Sequence, residues 1–303
     1  MCIRDRFITA QTLTSDSIKI FISESTSPNT PKGVIHIYHG LAEHFGRYKK
    51  TTNYFNSIGY HIVGIDHRGH GHWIEAGATP GFFAKENGWD LVVDDMETSF
   101  KKIQSTYPDL SHIILAHSMG TWLTLSLLQR NIYPSKVILS ASSKLSVVQL
   151  SIQKFIIKVI KLFKGSKSQS HFSNLLTTKQ FNSQFKPNRT THDWLSSNHE
   201  SVDAYIKDPL CGFVPTNQMY EDLAGGVIKA FSHKQMLAMD SNLPILLIAG
   251  TKDPVGENGK GVEALNTFLS KYNQNVQLVL LPELRHEICL LYTSPSPRDA
   301  TLS

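Results

Sequence analysis

Cysteine, charge and long apolar runs are all scarce in this chain. Its 303 residues include three cysteines, and only 18% are Asp, Glu, Lys or Arg, below the roughly 25% of an average soluble domain. With 41% hydrophobic residues a large core can still be buried, which excludes an intrinsically disordered chain. No apolar run approaches the roughly 20 residues a helix needs to span a bilayer, so the default expectation is a globular protein in water, with the cytoplasm as its default location. Charge of one sign is lacking too. The 30 Lys and Arg against 25 Asp and Glu leave a net +5, dispersed except in one stretch, and no footprint for nucleic acid results. Length permits one large or two ordinary domains, and no internal repeat is visible.

The two ends are related to each other. Met1-Cys2-Ile3-Arg4-Asp5 and Cys289-Leu290-Leu291-Tyr292-Thr293 can be encoded by the two strands of one inverted repeat, which resembles a sequencing-library adapter. Residues 1–6 and 289–303 are therefore expected to be an adapter artefact and are set aside. Cys2 and Cys289 leave with them. Cys211 then has no partner, so neither a disulfide framework nor a cysteine metal site is expected.

Between the ends, short apolar runs alternate with helix-length segments. Strands are expected over 17–22, 33–38, 60–65, 112–116, 136–139, 244–249 and 276–281, several of them continuously apolar, as strands covered on both faces are. Helices are expected over 47–57, 91–107, 119–131 and 260–272. Alternation of strand and helix implies right-handed crossovers into a mostly parallel sheet flanked by helices, an α/β fold. The pattern breaks over 143–233, where polar loops join helical pieces, and this stretch is expected to be a lid inserted into a core made of 7–142 and 234–288.

One string carries most of the chemistry. Ile114-Leu115-Ala116-His117-Ser118-Met119-Gly120 is an apolar strand ending in a serine with small residues two places either side, the context of a nucleophile elbow. The tight strand-to-helix turn would expose Ser118 at a helix N-terminus, where backbone N–H groups can receive an oxyanion. Taken alone, the same string also fits a serine that caps an ordinary helix. Asp253 follows one expected strand and His286 another, so Ser118, Asp253 and His286 occur in the chain order of the α/β-hydrolase triad.

Further strings resemble one branch of that fold, the monoacylglycerol lipase and lysophospholipase family, also called serine aminopeptidase-like. They are Tyr38-His39-Gly40-Leu41-Ala42-Glu43-His44-Phe45-Gly46-Arg47-Tyr48, Asp66-His67-Arg68-Gly69-His70-Gly71, Gly81-Phe82-Phe83-Ala84, Asp208-Pro209-Leu210-Cys211-Gly212-Phe213 and Asp253-Pro254-Val255-Gly256. The resemblance spans about residues 15–288 and implies an α/β-hydrolase fold and acyl transfer without a cofactor. Ser118 would be the nucleophile, His286 the base, Asp253 its orienting carboxylate, and the backbone N–H groups of Leu41 and Met119 the oxyanion hole. Ala116 stands where the family more usually has glycine. The resemblance breaks off after His286-Glu287-Ile288, where the family continues into a last helix, and weakened or lost activity is expected without it.

The expected substrate is a small acyl ester of monoacylglycerol or lysophospholipid type. Amide cleavage at a peptide N-terminus is the alternative within enzymes, disfavoured because the lid shows no acidic cluster to bind an amine. A non-catalytic binding protein is the alternative outside them, disfavoured because binding alone needs no complete triad. The group Asp66, His67, His70 and His72 reads as structural, with no metal expected, and Glu43 with Arg47 reads as a brace of the oxyanion loop. Over 148–164, Val148, Ile152, Phe155, Ile156, Val159, Ile160 and Phe163 form one helical stripe, with Lys154, Lys158, Lys161 and Lys164 opposite. The favoured reading turns that stripe onto the active-site pocket and leaves the lysines solvated; the other lays it on a membrane surface.

Overall fold

The computed structural model describes residues 5–11 and 17–290; the rest of the two ends expected to be adapter-derived, 1–4 and 291–303, lies outside them. Eight strands form one sheet: β1 (Asp5–Gln11), β2 (Ser17–Ser23), β3 (Gly33–Tyr38), β4 (Tyr60–Ile65), β5 (His112–His117), β6 (Lys136–Ser140), β7 (Ile245–Gly250) and β8 (Val276–Leu281). Their order is β1-β2-β4-β3-β5-β6-β7-β8. The first two pair antiparallel and β2 runs antiparallel to β4, while β4 through β8 are parallel. Seven strands lie where the apolar runs place them. The eighth, β1, includes Asp5 and Arg6, two residues that trimming at residue 7 removes.

The central strands are continuously apolar because each face of the sheet is covered. In β3, Val34 and Tyr38 join the core on one face, while Ile35 and Ile37 join the core on the other. β5 repeats the pattern, with Ile114 and Ala116 against Leu115. A residue period of two thus distributes one strand over two cores. The helices Gly88–Thr106 and Met119–Leu128 cover the first face, and Lys49–Ser57 lies beside β4.

Between β6 and β7 the chain forms helices instead of strands. The three longest begin on polar caps: the Ser146, Asn198 and Thr216 side chains accept backbone N–H bonds at the starts of Val147–Lys164, His199–Lys207 and Asn217–Ala230. Val147–Lys164 packs against Asn217–Ala230, but by the face opposite to the one expected. Leu150 and Ile157 are buried there, and Lys161 reaches Glu221 at 2.5 Å and Gln218 at 2.8 Å. Val148, Ile152, Phe155, Val159, Leu162 and Phe163 are exposed. Carboxylates on the neighbouring helix draw the lysine side inward, so the apolar stripe does not simply cover the pocket; only Ile152 and Ile156 of it reach the cavity wall. No helix among the described residues is long and apolar enough to cross a membrane.

Candidate active site

Three loops at the carboxyl edge of the parallel strands meet over β5. Ser118 follows β5 with φ 50° and ψ −121°, a left-handed backbone that a side chain adopts only where packing enforces it. Enforcement is visible on both sides. The Ser118 N–H donates to Ser140 O at 2.9 Å, and a methyl group on Gly120 would lie 2.3 Å from Tyr38 O, so only glycine lets the following helix approach β3. Ala116 is fully buried and is accommodated.

The loop after β8 brings the histidine in. Gly250, at the end of β7, has no room for a side chain because Leu284 O passes 2.0 Å from where one would begin, and this close passage delivers His286 to the sheet edge. Ser118 Oγ donates to His286 Nε2 at 2.9 Å, and His286 Nδ1–H donates to Asp253 Oδ1 and Oδ2 at 2.9 and 3.0 Å. Asp253 is completely buried, and its Oδ1 also accepts the Val255 N–H. Burial alone would lower the basicity of His286, but the charge and hydrogen bond of Asp253 outweigh it, with Glu287 and Glu43 adding, so His286 is held above its ordinary value.

Leu41 and Met119 both border the same cavity as Ser118. Met119 opens a helix, and Leu41 follows Gly40, where a methyl group would come within 3.1 Å of Ser118 Cβ. The two backbone segments expected to receive an oxyanion therefore flank the serine. The cavity measures about 910 Å³ and is walled by residues 40–43, the Ser118 turn with Trp122, and residues 145–223, including Leu150, Ile156, Phe172, Phe181 and Leu223.

The Asp66 loop supports this site from behind. His39 Nδ1–H donates to Gly40 O at 2.8 Å, and its Nε2 accepts the His67 N–H at 3.0 Å; Asp66 accepts the Phe45 and His72 N–H groups. Burial pushes His67 and His70 well below the ordinary histidine range, His70 to about 3, so they are neutral packing groups. Among the described residues, one set of metal-ligating side chains gathers elsewhere: the ligand atoms of His44, Asp208 and Cys211 lie within 4.8 Å of one another. His44 Nε2–H already donates to Asp208 at 2.9 Å, and burial raises the Cys211 thiol far above its ordinary value, which keeps it protonated.

Three contacts escape sequence reading. The Trp194 ring lies 5.0 Å from His286 and the His117 ring 4.8 Å, and Arg47 pairs with Glu287. For Glu287 the signal was its place beside His286; for Trp194 there was none.

The pattern described as serine aminopeptidase, S33, matches residues 29–290. The chain belongs to that family. The monoacylglycerol lipase of Mycolicibacterium smegmatis is 25% identical to this S33 chain over 275 residues, covering 89% of it and 87% of the relative. A monoglyceride lipase homolog of monkeypox virus is 23% identical over 273 residues, covering 85% and 83%. Among solved structures, a thermostable carboxyl esterase from Bacillus coagulans superposes with a TM-score of 0.83 at 25% identity, covering 95% of this chain and 93% of that one. This S33 member has the α/β-hydrolase fold.

Proposed function

We propose that this protein is a serine hydrolase that cleaves carboxylic esters of monoacylglycerol or lysophospholipid type through an acyl-enzyme. The observation that carries the reading is the unbroken hydrogen-bonded chain from Ser118 through His286 to Asp253 on the wall of a cavity large enough for an acyl chain. Ser118 Oγ attacks the ester carbonyl as its proton passes to His286 Nε2. Asp253 holds the Nδ1–H tautomer and balances the imidazolium. The N–H groups of Leu41 and Met119 receive the oxyanion. His286 returns the proton to the leaving alcohol, and water, deprotonated by the same imidazole, releases the acid. In this scheme no cofactor takes part.

Residues 143–233 act in this reading as a lid on a core of 7–142 and 234–288, with the cavity beneath it as the acyl tunnel. The names of the similar lipase and esterase support an ester over an amide. So does the wall itself: its carboxylates among the described residues are Glu43, Glu257 and Glu287, and two of them are bound to Arg47, which leaves little to hold a free amine. The exposed face of the 147–164 helix, with its flanking lysines, favours a second role for the lid as a contact with an anionic lipid surface.

Exposure of the chain and its Ser118→Ala variant to a fluorophosphonate, followed by mass spectrometry, tests the reading. An adduct on Ser118, absent in the variant, is expected. A folded chain that takes no adduct refutes it, and activity retained in Ser118→Ala would favour a binding role.

A further inference from the structure

A buried ionic unit joins the two loops on either side of Ser118. Arg47 Nη1 donates to Glu43 Oε2 and to Glu287 Oε1, each at 2.6 Å, and Nη2 donates to Glu287 Oε2 at 3.0 Å. The side chains of Glu43, Arg47 and Glu287 are 3%, 9% and 2% exposed. At one end, Glu43 Oε1 accepts the Gly40 N–H at 2.5 Å and the Tyr48 hydroxyl at 3.0 Å, so the unit grips the residue before Leu41. At the other end, Glu287 is covalently next to His286, and its own N–H donates to Leu195 O at 2.8 Å. The Arg47 guanidinium lies over the Tyr205 ring at 4.7 Å, and the Tyr205 hydroxyl donates to Ala42 O at 3.0 Å.

Stability does not account for this arrangement. A buried ion pair is often matched or bettered by apolar residues of the same volume, and here the pairing is not even balanced. Glu43 alone neutralises Arg47. The second carboxylate adds a net negative charge to the interior, an unfavourable addition unless something nearby becomes positive. The group that does so, in the reaction proposed above, is His286.

We propose that Arg47 and Glu287 are positioning residues for that reaction, clamping the oxyanion loop at Gly40–Leu41 and the histidine loop at His286 into one rigid unit whose excess negative charge faces the imidazole. The inference rests on the ester-hydrolase reading for its reaction. Its physical basis is preorganisation: a donor and a base placed by the same buried fork cannot drift apart as charge develops. The charged and titratable groups facing His286 are Asp253 at Nδ1, His117 at its ring face, and Glu43, Arg47 and Glu287 beside it. Burial holds His117 down at about 3, so it stays neutral, and the sum of the ionic unit is negative.

The test uses the full chain labelled at histidine, titrated by NMR, together with steady-state kinetics on a short-chain acyl ester, for the wild type, Glu287→Gln and Glu287→Asp. In Glu287→Gln a neutral Glu43–Arg47 pair remains, so folding is retained. The His286 midpoint is expected to fall by about one pH unit, the acid limb of kcat to move with it, and kcat to fall about 10- to 100-fold with KM little changed. Glu287→Asp keeps the charge and shortens the reach, so it is expected to restore the midpoint while kcat stays reduced. A folded Glu287→Gln with the wild-type midpoint overturns the proposal; if that variant does not fold, a wild-type kcat in Glu287→Asp does so. The imidazole titration is read without turnover. A chain that cleaves no ester therefore discredits the ester reading, while a midpoint unmoved in Glu287→Gln discredits this one.

Discussion

The indole of Trp194 lies against the imidazole of His286, ring centres 5.0 Å apart, so a residue of the helical segment shields the histidine of the strand-edge loop from water. His117 covers it from the Ser118 side at 4.8 Å, and His286 is 3% exposed. Despite that burial, Asp253 holds its basicity above the ordinary value. Two opposite pH dependences follow. Ser118 attack requires the neutral ring, so activity rises with pH through a midpoint above about 6.5. The stability contributed by the His286–Asp253 pair runs the other way: it is complete below about pH 6.5 and is lost as pH rises through the raised folded value. Ester turnover and thermal melting across pH 5–9, with His286→Gln as the control, measure both.

Asp253→Asn keeps the shape of the buried acceptor but removes the charge and permits the wrong imidazole tautomer. A fall in kcat of about 10⁴-fold is expected, with KM little affected and phosphonylation of Ser118 slowed in parallel. Labelling at the wild-type rate would show that Asp253 does not orient His286.

Gly120→Ala sets a methyl group 2.3 Å from Tyr38 O and 2.6 Å from His39 O, both backbone atoms that cannot swing aside. A loss of about 2–3 kcal/mol is expected, read from urea unfolding. Displacement of the Ser118 turn should also lower activity by more than the loss of folded protein accounts for.

Asp222 lies on the 217–230 helix, and burial raises its carboxyl to about 6, although Gln218 donates to it and Lys161 and Lys154 are near. Its charge is therefore a burden: stability falls as pH rises from about 4 to about 6 and stays lower above that. Asp222→Asn should raise stability at pH 7 by about 1–2 kcal/mol and leave it unchanged below about pH 4. Equal melting temperatures at pH 7 would contradict the shift.

The outward face of the 147–164 helix is tested by replacing Phe155, Leu162 and Phe163 with serine. Each is exposed in the free protein, so folding stability should change little. Binding to anionic vesicles should fall at least about tenfold, since a single such side chain buried in lipid contributes roughly 1.5–3 kcal/mol. Unchanged vesicle binding, both here and when the helix lysines are replaced by glutamate, would remove the lipid-contact role.

Much of this protein could be read from local pattern. Continuously apolar runs mark strands wherever both faces of the sheet are covered, which is why β3, β5 and β7 were legible and why Ser118, Asp253 and His286 each fell at a strand end. The alternation with helices was enough for a parallel sheet, and the strings around Gly40, Ser118 and Asp253 for the family. Periodicity also found the apolar stripe of the 147–164 helix. It did not say which way the stripe faces, because a period of 3.6 records that a helix has two unlike sides and nothing of what stands opposite them. That depended on Glu221 and Gln218, carried by another helix, drawing Lys161 inward.

Long-range pairing set the rest. Arg47 and Glu287 are 240 residues apart, and Ser118 and His286 are 168 apart; nothing within a window of sequence can distinguish His286 from the other histidines of this chain by distance to a serine. The sequence by itself determined seven of the eight strands, the parallel core of the sheet and the order of Ser118, Asp253 and His286 at strand ends, because those follow from local sterics and burial. Only the tertiary structure decided that Trp194 shields the imidazole, that one guanidinium holds both flanking loops and that the helix shows its apolar side to solvent, because each is a choice of partner made when distant segments compete for the same buried space.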